Sequence, residues 1–318
     1  MLAGLTAVEV ATLLLVGVLL DRLLGEPRRW HPLVGFGRLA AAIERGLNRA
    51  PSHAFSRITG VAAWGLAVLP FVLCLYWLIG LAPAAGAYAI HTAVLAFTLG
   101  ARSLGEHIAP IGQALAAGEL AQARELTARI VSRDTRELDA GGVARAAVES
   151  ALENGNDAIF GALFWFMVAG APGALLFRLA NTLDAMWGYK TPRHLRFGWA
   201  AARIDDLLNL LPARLTALTY AVLGRTGVAL ACWRAQAPAW ESPNAGPVMA
   251  AGAGALELAL GGPAVYHGQL EARPPLGAGA APAAPDIFRA LRLIERGIWL
   301  WLAGFSLCAA LTWSVAHA

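Results

Sequence analysis

The chain has 318 residues, 58% of them apolar and only 14% charged, against roughly 25% charged in an average soluble domain. With a mean hydropathy of +0.55, these proportions argue against a soluble globular enzyme, exclude a disordered chain, a collagen and a coiled coil, and point to an integral membrane protein. The net charge of +4 does not indicate nucleic acid: the basic side chains, all arginine except Lys190, are spread through short loops and are not massed in one stripe.

Residues 5–24 are the first expected membrane span. Thr6 and Glu9 have the spacing of a capping box, which makes Glu9 a helix-start residue at the interface. No basic leader and no small-residue cleavage site precede Asp21, so the segment does not read as a signal peptide. Residues 61–81 and 84–100 form a helical hairpin about Ala82-Pro83, each arm close to the roughly 20 residues that cross a bilayer. The span 298–316 carries Trp299, Trp301 and Trp313 near its ends, where indole rings favour the interface.

Two further apolar runs are broken. Residues 158–180 are interrupted by Gly170-Ala171-Pro172-Gly173, and residues 207–232 by Gly224-Arg225-Thr226-Gly227. Such segments read as re-entrant or buried, because an arginine at a span's centre costs roughly 2.5–3.5 kcal/mol. The expected fold is therefore all-α and polytopic: four clean transmembrane helices, two broken apolar segments and cytoplasmic helical loops, in a single membrane-embedded domain over 1–318. Seven arginines in 21–59 place that stretch in the cytoplasm. The hairpin then returns residues 101–297, the site region, to the same side, with both termini outside. Residues 117–131 read as an amphipathic helix through Leu120, Leu126 and Ile130, and the Pro/Gly/Ala-rich stretch 272–285 as a flexible loop. The cysteines Cys74, Cys232 and Cys308 lie in apolar runs without a C-x-x-C pair, giving neither a zinc site nor a disulfide framework.

Five constellations carry candidate chemistry. D-R-L-L-G-E-P-R-R-W-H-P, Asp21 to Pro32, combines a turn at Gly25 and Pro27 with an extended His31-Pro32. S-R-D-T-R-E-L-D, Ser132 to Asp139, leads into a helix on which Glu149 and Glu153 share a face at i,i+4. Two such carboxylates repel unless a cation bridges them, and Mg²⁺ is typically held by one or two carboxylates plus substrate phosphates. The bland alternative is that Arg145 pairs Glu149, Gly155 ends the helix and Asp157 caps the next one. R-x-x-N-T-L-D-A-M-W-G-Y-K-T, Arg178 to Thr191, holds the single lysine but no Walker A pattern. A-R-I-D-D-L-L-N-L-L-P-A-R, Ala202 to Arg214, opens an apolar run with paired aspartates, with Asp205 and Asn209 on one face and Arg203 in reach of Asp206. E-S-P-N-A-G-P, Glu241 to Pro247, is a rigid turn able to offer backbone N–H groups to an anion.

Taken together and in this order, the five constellations resemble the CobD/CbiB family of cobalamin biosynthesis, the adenosylcobinamide-phosphate synthases. The resemblance covers nearly the whole chain and is densest over 130–270. Three positions depart from the family pattern: Glu26, Gly161-Ala162 and Pro247-Val248-Met249. The resemblance implies an enzyme that joins adenosylcobyric acid to (R)-1-aminopropan-2-ol or its phosphate through an amide, with Mg²⁺ and ATP, at the bacterial inner membrane with its site facing the cytoplasm. It also implies roles. Glu153, Asp157, Asp205 and Asp206 would hold Mg²⁺; Arg133, Lys190 and Arg203 would neutralise phosphates; Asp184 or Glu149 would take the amine proton. His31 would contact substrate, and Asn154, Asn181 and Asn244 the corrin amides. The implied partners are the corrinoid, aminopropanol (phosphate), membrane lipid and other cobalamin-assembly enzymes, with no nucleic acid. Without the family, two other classes compete: a Mg²⁺-dependent membrane prenyltransferase, although no D-x-x-x-D or D-D-x-x-D spacing occurs, and a non-catalytic membrane scaffold for cobalamin enzymes.

Overall fold

The computed structural model describes residues 4–26, 32–49, 55–266 and 268–316. Among the described residues the fold is helical apart from two antiparallel pairs of three-residue strands, one pair lying between the members of the other in sequence. The chain divides into two compact units, Met1–Gly100 with Gly161–Asn209 and Phe305–Ala318, and Ala101–Phe160 with Leu210–Gly304.

In the first unit, α1 (Ala7–Leu24) opens with the expected capping box: the Glu9 amide donates to Thr6 Oγ1 at 3.3 Å and the Thr6 amide to Glu9 Oε2 at 2.7 Å. The Tyr88 hydroxyl on α4 (Ala84–Thr98) also donates to Glu9. Gly25, at φ 64°, ends α1 where the sequence places the stop. Next come α2 (Pro32–Leu47) and α3 (Ser56–Leu81), the latter paired with α4 about Ala82-Pro83. On α3 the small residues Ala63 and Ala67 are buried, whereas Leu66, Leu73, Trp77 and Leu81 are exposed. Close packing through small side chains with large apolar ones turned outward suits helices in lipid, where leucine gains little by leaving the surface. The core of this unit joins Phe36 and Ala40 of α2, Trp64 and Val68 of α3, and Leu183 and Trp187 of α8 (Gly161–Trp187).

The break expected at Gly170 is present: Ala169 (φ −135°, ψ 16°) and Gly170 (φ 62°, ψ −152°) leave helical geometry. Gly161 and Phe177 would lie about 24 Å apart along a straight helix, yet a Cβ on Gly161 would overlap the Phe177 ring, and one on Gly173 the Trp165 carbonyl. The run therefore folds back on itself as a helical hairpin. The freed Ala171 amide donates to His91 Nδ1 of α4 at 3.0 Å.

In the second unit, α5 (Ala101–Ala116) and α6 (Leu120–Ala128) precede α7 (Ala140–Gly155), which Asp139 caps by accepting from the Gly142 amide at 2.7 Å. The buried residues of α6 are Ala123 and Thr127, while the expected stripe of Leu120, Leu126 and Ile130 is only half-buried. Gly155 does not stop α7. A five-residue π turn, Asn156–Phe160, carries the helix on, and the Tyr220 hydroxyl donates to the Leu152 carbonyl at 3.1 Å beside it. A wider turn of this kind releases a carbonyl from its usual partner, and Tyr220 supplies one.

The helix α9 (Trp199–Leu223) ends at the second expected break. Before α10 (Thr226–Gln236), the Arg225 amide donates to the Ala255 carbonyl at 3.0 Å, and Arg225 Nε pairs with Glu257 at 3.3 Å. Every residue of α11 (Ala245–Leu256) is buried. The expected loop 272–285 contains β4 (Pro275–Gly277), antiparallel to β1 (Ala259–Gly261). Its other side is held by Gln236, which donates to the Gly277 carbonyl at 2.9 Å and accepts from the Gly277 amide at 2.6 Å. A side-chain amide thus substitutes for a third strand, which composition alone does not reveal. Between β1 and β4 in sequence, β2 (Ala264–Tyr266) and β3 (Gln269–Glu271) form a hairpin, and α12 (Ala284–Ala316) is the last helix.

Four helical stretches among the described residues are long and apolar enough to cross a membrane: Ser56–Leu81, Ala84–Ala116, Ala140–Trp187 and Ala284–Val315. Three coincide with expected spans. The fourth is the stretch containing the broken run, in place of α1, which carries Glu9, Asp21 and Arg22 within 18 residues.

The hairpin in α8 makes a specific demand on stability. Gly161→Leu forces a side chain into the Phe177 ring, and overpacking of this kind costs about 1–3 kcal/mol. Gly105→Ala, on a helix with open space around it, is expected to be neutral or stabilising by up to ~1 kcal/mol. Thermal unfolding in detergent distinguishes the two; equal midpoints would contradict the folded-back geometry.

Candidate functional site

The polar end of the first unit is built from the last turns of α8, the loop 188–198 and the first turns of α9. Asp205, 8% exposed, accepts from Asn181 Nδ2 at 3.4 Å and from Asn209 Nδ2 at 3.1 Å, so both its oxygens face amides. Arg203 pairs with Asp206 at 3.0 Å. Asp184 differs from both: no hydrogen bond or ion pair reaches its half-buried carboxylate among the described residues. It lies against the Cα of Gly188, where any side chain would overlap its Oδ1, and close enough to Asp206 for the two charges to repel. Two carboxylates close enough to repel, one of them without a hydrogen bond, suit a divalent cation shared with a substrate phosphate. No group of three or more His, Cys, Asp or Glu side chains forms a complete metal cage among the described residues.

Lys190 is exposed on the loop that follows. The ends of that loop meet: Gly198 is so close to the Trp187 carbonyl that a Cβ there would overlap it, and the Trp187 and Phe197 rings pack edge to face at 5.3 Å. Arg193 fastens the loop to α2, binding Glu44 through Nε at 2.9 Å and Nη2 at 2.6 Å, while Asn48 Nδ2 donates to the Arg193 carbonyl at 3.0 Å and to Glu44 at 2.7 Å. Glu26 reaches Arg178 at 3.8 Å. His31, expected to contact substrate, lies outside the described residues.

The second unit gathers a different cluster. The stretch Ser132 to Asp139 is fixed locally: Arg136 holds the Asp134 carboxyl down to about 2 through a side-chain and a backbone hydrogen bond, and Arg124 Nε donates to the Leu138 carbonyl at 2.7 Å. This turns Arg133 inward, where it binds Glu149. Glu149, 3% exposed, also accepts from the Gly261 amide at 2.8 Å and from the Arg273 guanidinium at 3.2 to 3.3 Å. A carboxylate so fully engaged is a structural hub and holds no lone pair ready for a proton. Arg145 does not pair with it, contrary to the simplest helix-face reading. Glu153 makes no hydrogen bond or ion pair among the described residues. Asn154 Nδ2 donates to the Ser150 carbonyl at 2.8 Å, and Asp157 accepts from Asn156 at 2.9 Å. Asn244, 5% exposed, accepts from Arg214, while Ser242 Oγ accepts from the Ala245 amide at 3.1 Å, so the S-P-N-A-G-P turn caps α11.

The family described as CobD/Cbib protein matches residues 14–294. The chain belongs to the CobD/CbiB family. It is 58% identical over 312 residues (97% of this chain, 99% of the relative) to a cobalamin biosynthesis protein CobD of Chromobacterium violaceum. The namesake of Stutzerimonas stutzeri is 62% identical over 285 residues, covering 90% and 93% of the two chains. That of Rhodobacter capsulatus is 39% identical over 321 residues, covering 96% and 99%. No solved structure matches the chain.

Within this CobD/CbiB chain, sequence reasoning missed Arg273 as a partner of Glu149, and the Glu44–Asn48–Arg193 latch. The partners are separated by 124 and 149 positions respectively, and no local spacing signals either.

The latch gives a pH prediction. Burial alone would raise the Glu44 carboxyl, but hydrogen bonds from Arg193 and Asn48 and the neighbouring positive charge outweigh it and hold the group below its ordinary value. A folded value depressed in this way adds stability above the unfolded value of about 4.3 and loses it as pH falls through the folded value. Wild type should therefore lose stability below about pH 4.3. Glu44→Gln should be about 1–3 kcal/mol less stable at neutral pH, with a flatter acid limb. Parallel melts across pH 3 to 7 measure both effects, and superimposable curves would remove the latch.

Proposed function

We propose that this protein forms the amide between adenosylcobyric acid and (R)-1-aminopropan-2-ol or its phosphate, using ATP as co-substrate. Family membership over nearly the whole chain carries this reading. A carboxylate oxygen takes the γ-phosphoryl group of ATP as ADP leaves, and the amine nitrogen then bonds to the carbonyl carbon of this acyl phosphate as its carbon–oxygen bond to phosphate breaks and phosphate leaves. Asp184, the unpartnered carboxylate, takes the amine proton in preference to Glu149, whose oxygens are already engaged. Asp206 would hold Mg²⁺, with Asp205 fixed beside it by the amides of Asn181 and Asn209. When bound, Mg²⁺ supplies neutralisation of phosphate charge. Lys190 and Arg203 complement the charge that spreads over the transferred phosphoryl oxygens. Asn181 meets the corrin amides. The chain sits in the bacterial inner membrane as a multi-pass protein with this end in the cytoplasm.

Purified protein incubated with adenosylcobyric acid, aminopropanol phosphate, ATP and Mg²⁺ should yield the amide. Turnover of a prenyl diphosphate alone, or tight corrinoid binding without product, would replace this reading with a transferase or a scaffold. Asp184→Asn should lower kcat by about 10²–10⁴ with corrinoid affinity retained. Lys190→Arg preserves charge but replaces a compact ammonium with a planar fork. It should impair nucleotide or aminopropanol-phosphate dependence and spare corrinoid affinity; unchanged kinetics for both substrates would remove Lys190 from the site. For topology, a cysteine placed beside Lys190 in a chain lacking Cys74, Cys232 and Cys308 should resist an impermeant thiol reagent applied from the periplasm. Labelling there would reverse the orientation.

A further inference from the structure

Three arginines converge on one side of the second unit, and their charges are not balanced. Arg133 and Arg273 both bind Glu149. Arg145, one turn earlier on α7, has its Nε buried with no hydrogen-bond partner, and no ion pair of Arg145 exists among the described residues. Its guanidinium approaches Gly262, since a Cβ there would lie 3.9 Å from Nη1. Arg273 Nε donates to the Gly262 carbonyl at 3.1 Å, which brings the second guanidinium to the same glycine. The Trp240 ring covers Arg273 at 5.5 Å from its centroid. Glu153, the other carboxylate on this face of α7, senses Arg133 and Arg273 but bonds to neither.

A guanidinium donor kept from water without an acceptor is costly, and a bound ion is one of the groups that completes such a donor. Glu149 cannot serve, since its two oxygens already take donors from Arg133, Arg273 and the Gly261 amide. Three cations against two carboxylates leave an excess positive charge beside a glycine that presents no side chain. Arginine forks match the oxygen spacing of phosphate, and their contacts with it are charge-assisted and often bidentate.

We propose that Arg145 and Arg273, at Gly262, form a binding site for a phosphate monoester or diphosphate. The site rests on the amide-synthase reading and deepens it, because its ligand is a phosphoryl group of the kind that ATP or aminopropanol phosphate brings. Arg133 and Glu149 are its frame: the ion pair holds Arg273 in place and leaves Arg145 facing open space at the glycine. A free phosphate and the phosphate of an anionic lipid headgroup share this chemistry.

The test is direct binding without corrinoid, so that it stands or falls independently of amide synthesis. Full-length protein in phosphatidylcholine nanodiscs is titrated with inorganic diphosphate by calorimetry. Wild type and Arg136→Gln, which alters an exposed arginine paired with Asp134, should bind alike, and Arg145→Gln at least ten-fold more weakly. Repeating the titration in nanodiscs rich in phosphatidylglycerol separates the sources. Undiminished affinity assigns the site to a free phosphate, and competition by the lipid assigns it to a headgroup. Phenylglyoxal modification of wild type, mapped by mass spectrometry, gives a readout that does not depend on a variant folding: diphosphate should protect Arg145 and not Arg136. No diphosphate binding by wild type, equal affinity in Arg145→Gln, or modification of Arg145 that diphosphate leaves unchanged would each overturn the site.

Discussion

A helix that breaks inside an apolar run frees amide groups that hydrocarbon cannot satisfy, and this constraint governs the fold around α8. The Ala171 amide, released by the reversal at Ala169-Gly170, donates to His91 Nδ1 at 3.0 Å. That bond sets the tautomer of His91, which then carries its proton on Nε2. The ring is 1% exposed and packs edge to face against Phe166 at 6.0 Å. A buried imidazole thus stands in for the missing turn of helix. With the reversal secured, α8 returns along its own first leg and delivers Asn181, Thr182 and Asp184 to the polar end of the unit. The second break is handled by the same physics with a different partner, the Ala255 carbonyl, and the arginine it contains is neutralised by Glu257.

The acidic residues divide into two kinds by what surrounds them. Glu149, Asp205 and Glu44 are buried and answered by arginines or amides, so their negative charge organises structure. A buried carboxylate in such company is costly to leave unpaired once any donor is lost. Asp184 and Glu153 have no such company among the described residues. Both lie one helical turn or less from a hub residue or its partner, which keeps them in place without occupying their oxygens. Reactive carboxylates have this form in general: positioned by neighbours, not consumed by them.

Much of the architecture is legible in the sequence because it is local. Hydrophobic length marks the α3–α4 hairpin and the closing helix, Thr6 and Glu9 mark the start of α1, and the glycine-proline and glycine-arginine runs mark both breaks. The family resemblance is legible for a different reason, since five separately weak motifs occur in one order. Pairings across long sequence separation are not legible at all. Arg145 and Glu149 have ideal helix-face spacing, yet Arg133 and Arg273 displace that pairing, because the buried geometry of the β1–β4 turn outweighs an i,i+4 contact of a few tenths of a kcal/mol. The strand in 272–285 is hidden for a related reason: on one side it pairs with β1 and on the other with the side chain of Gln236, and neither contact is local in sequence.

The loop carrying Lys190 shows how distant contacts give precision to an exposed group. A lysine on a free loop would sample many positions, and holding it near a substrate would then cost entropy at each binding event. Here the loop is closed at its base by contact between Trp187 and Gly198 and by the edge-to-face rings of Trp187 and Phe197. It is pulled to one side by Arg193, whose fork grips Glu44 while Asn48 holds the same residue's carbonyl. The opposite flank is set by Gly188, whose missing side chain leaves room for the Asp184 carboxylate. The freedom of the lysine is therefore reduced before any ligand arrives by the contacts that close and fasten its loop. The same reasoning explains the two glycines Gly188 and Gly198: one admits the aspartate and the other lets the two ends of the loop meet, and a methyl group at either position would overlap a neighbouring atom.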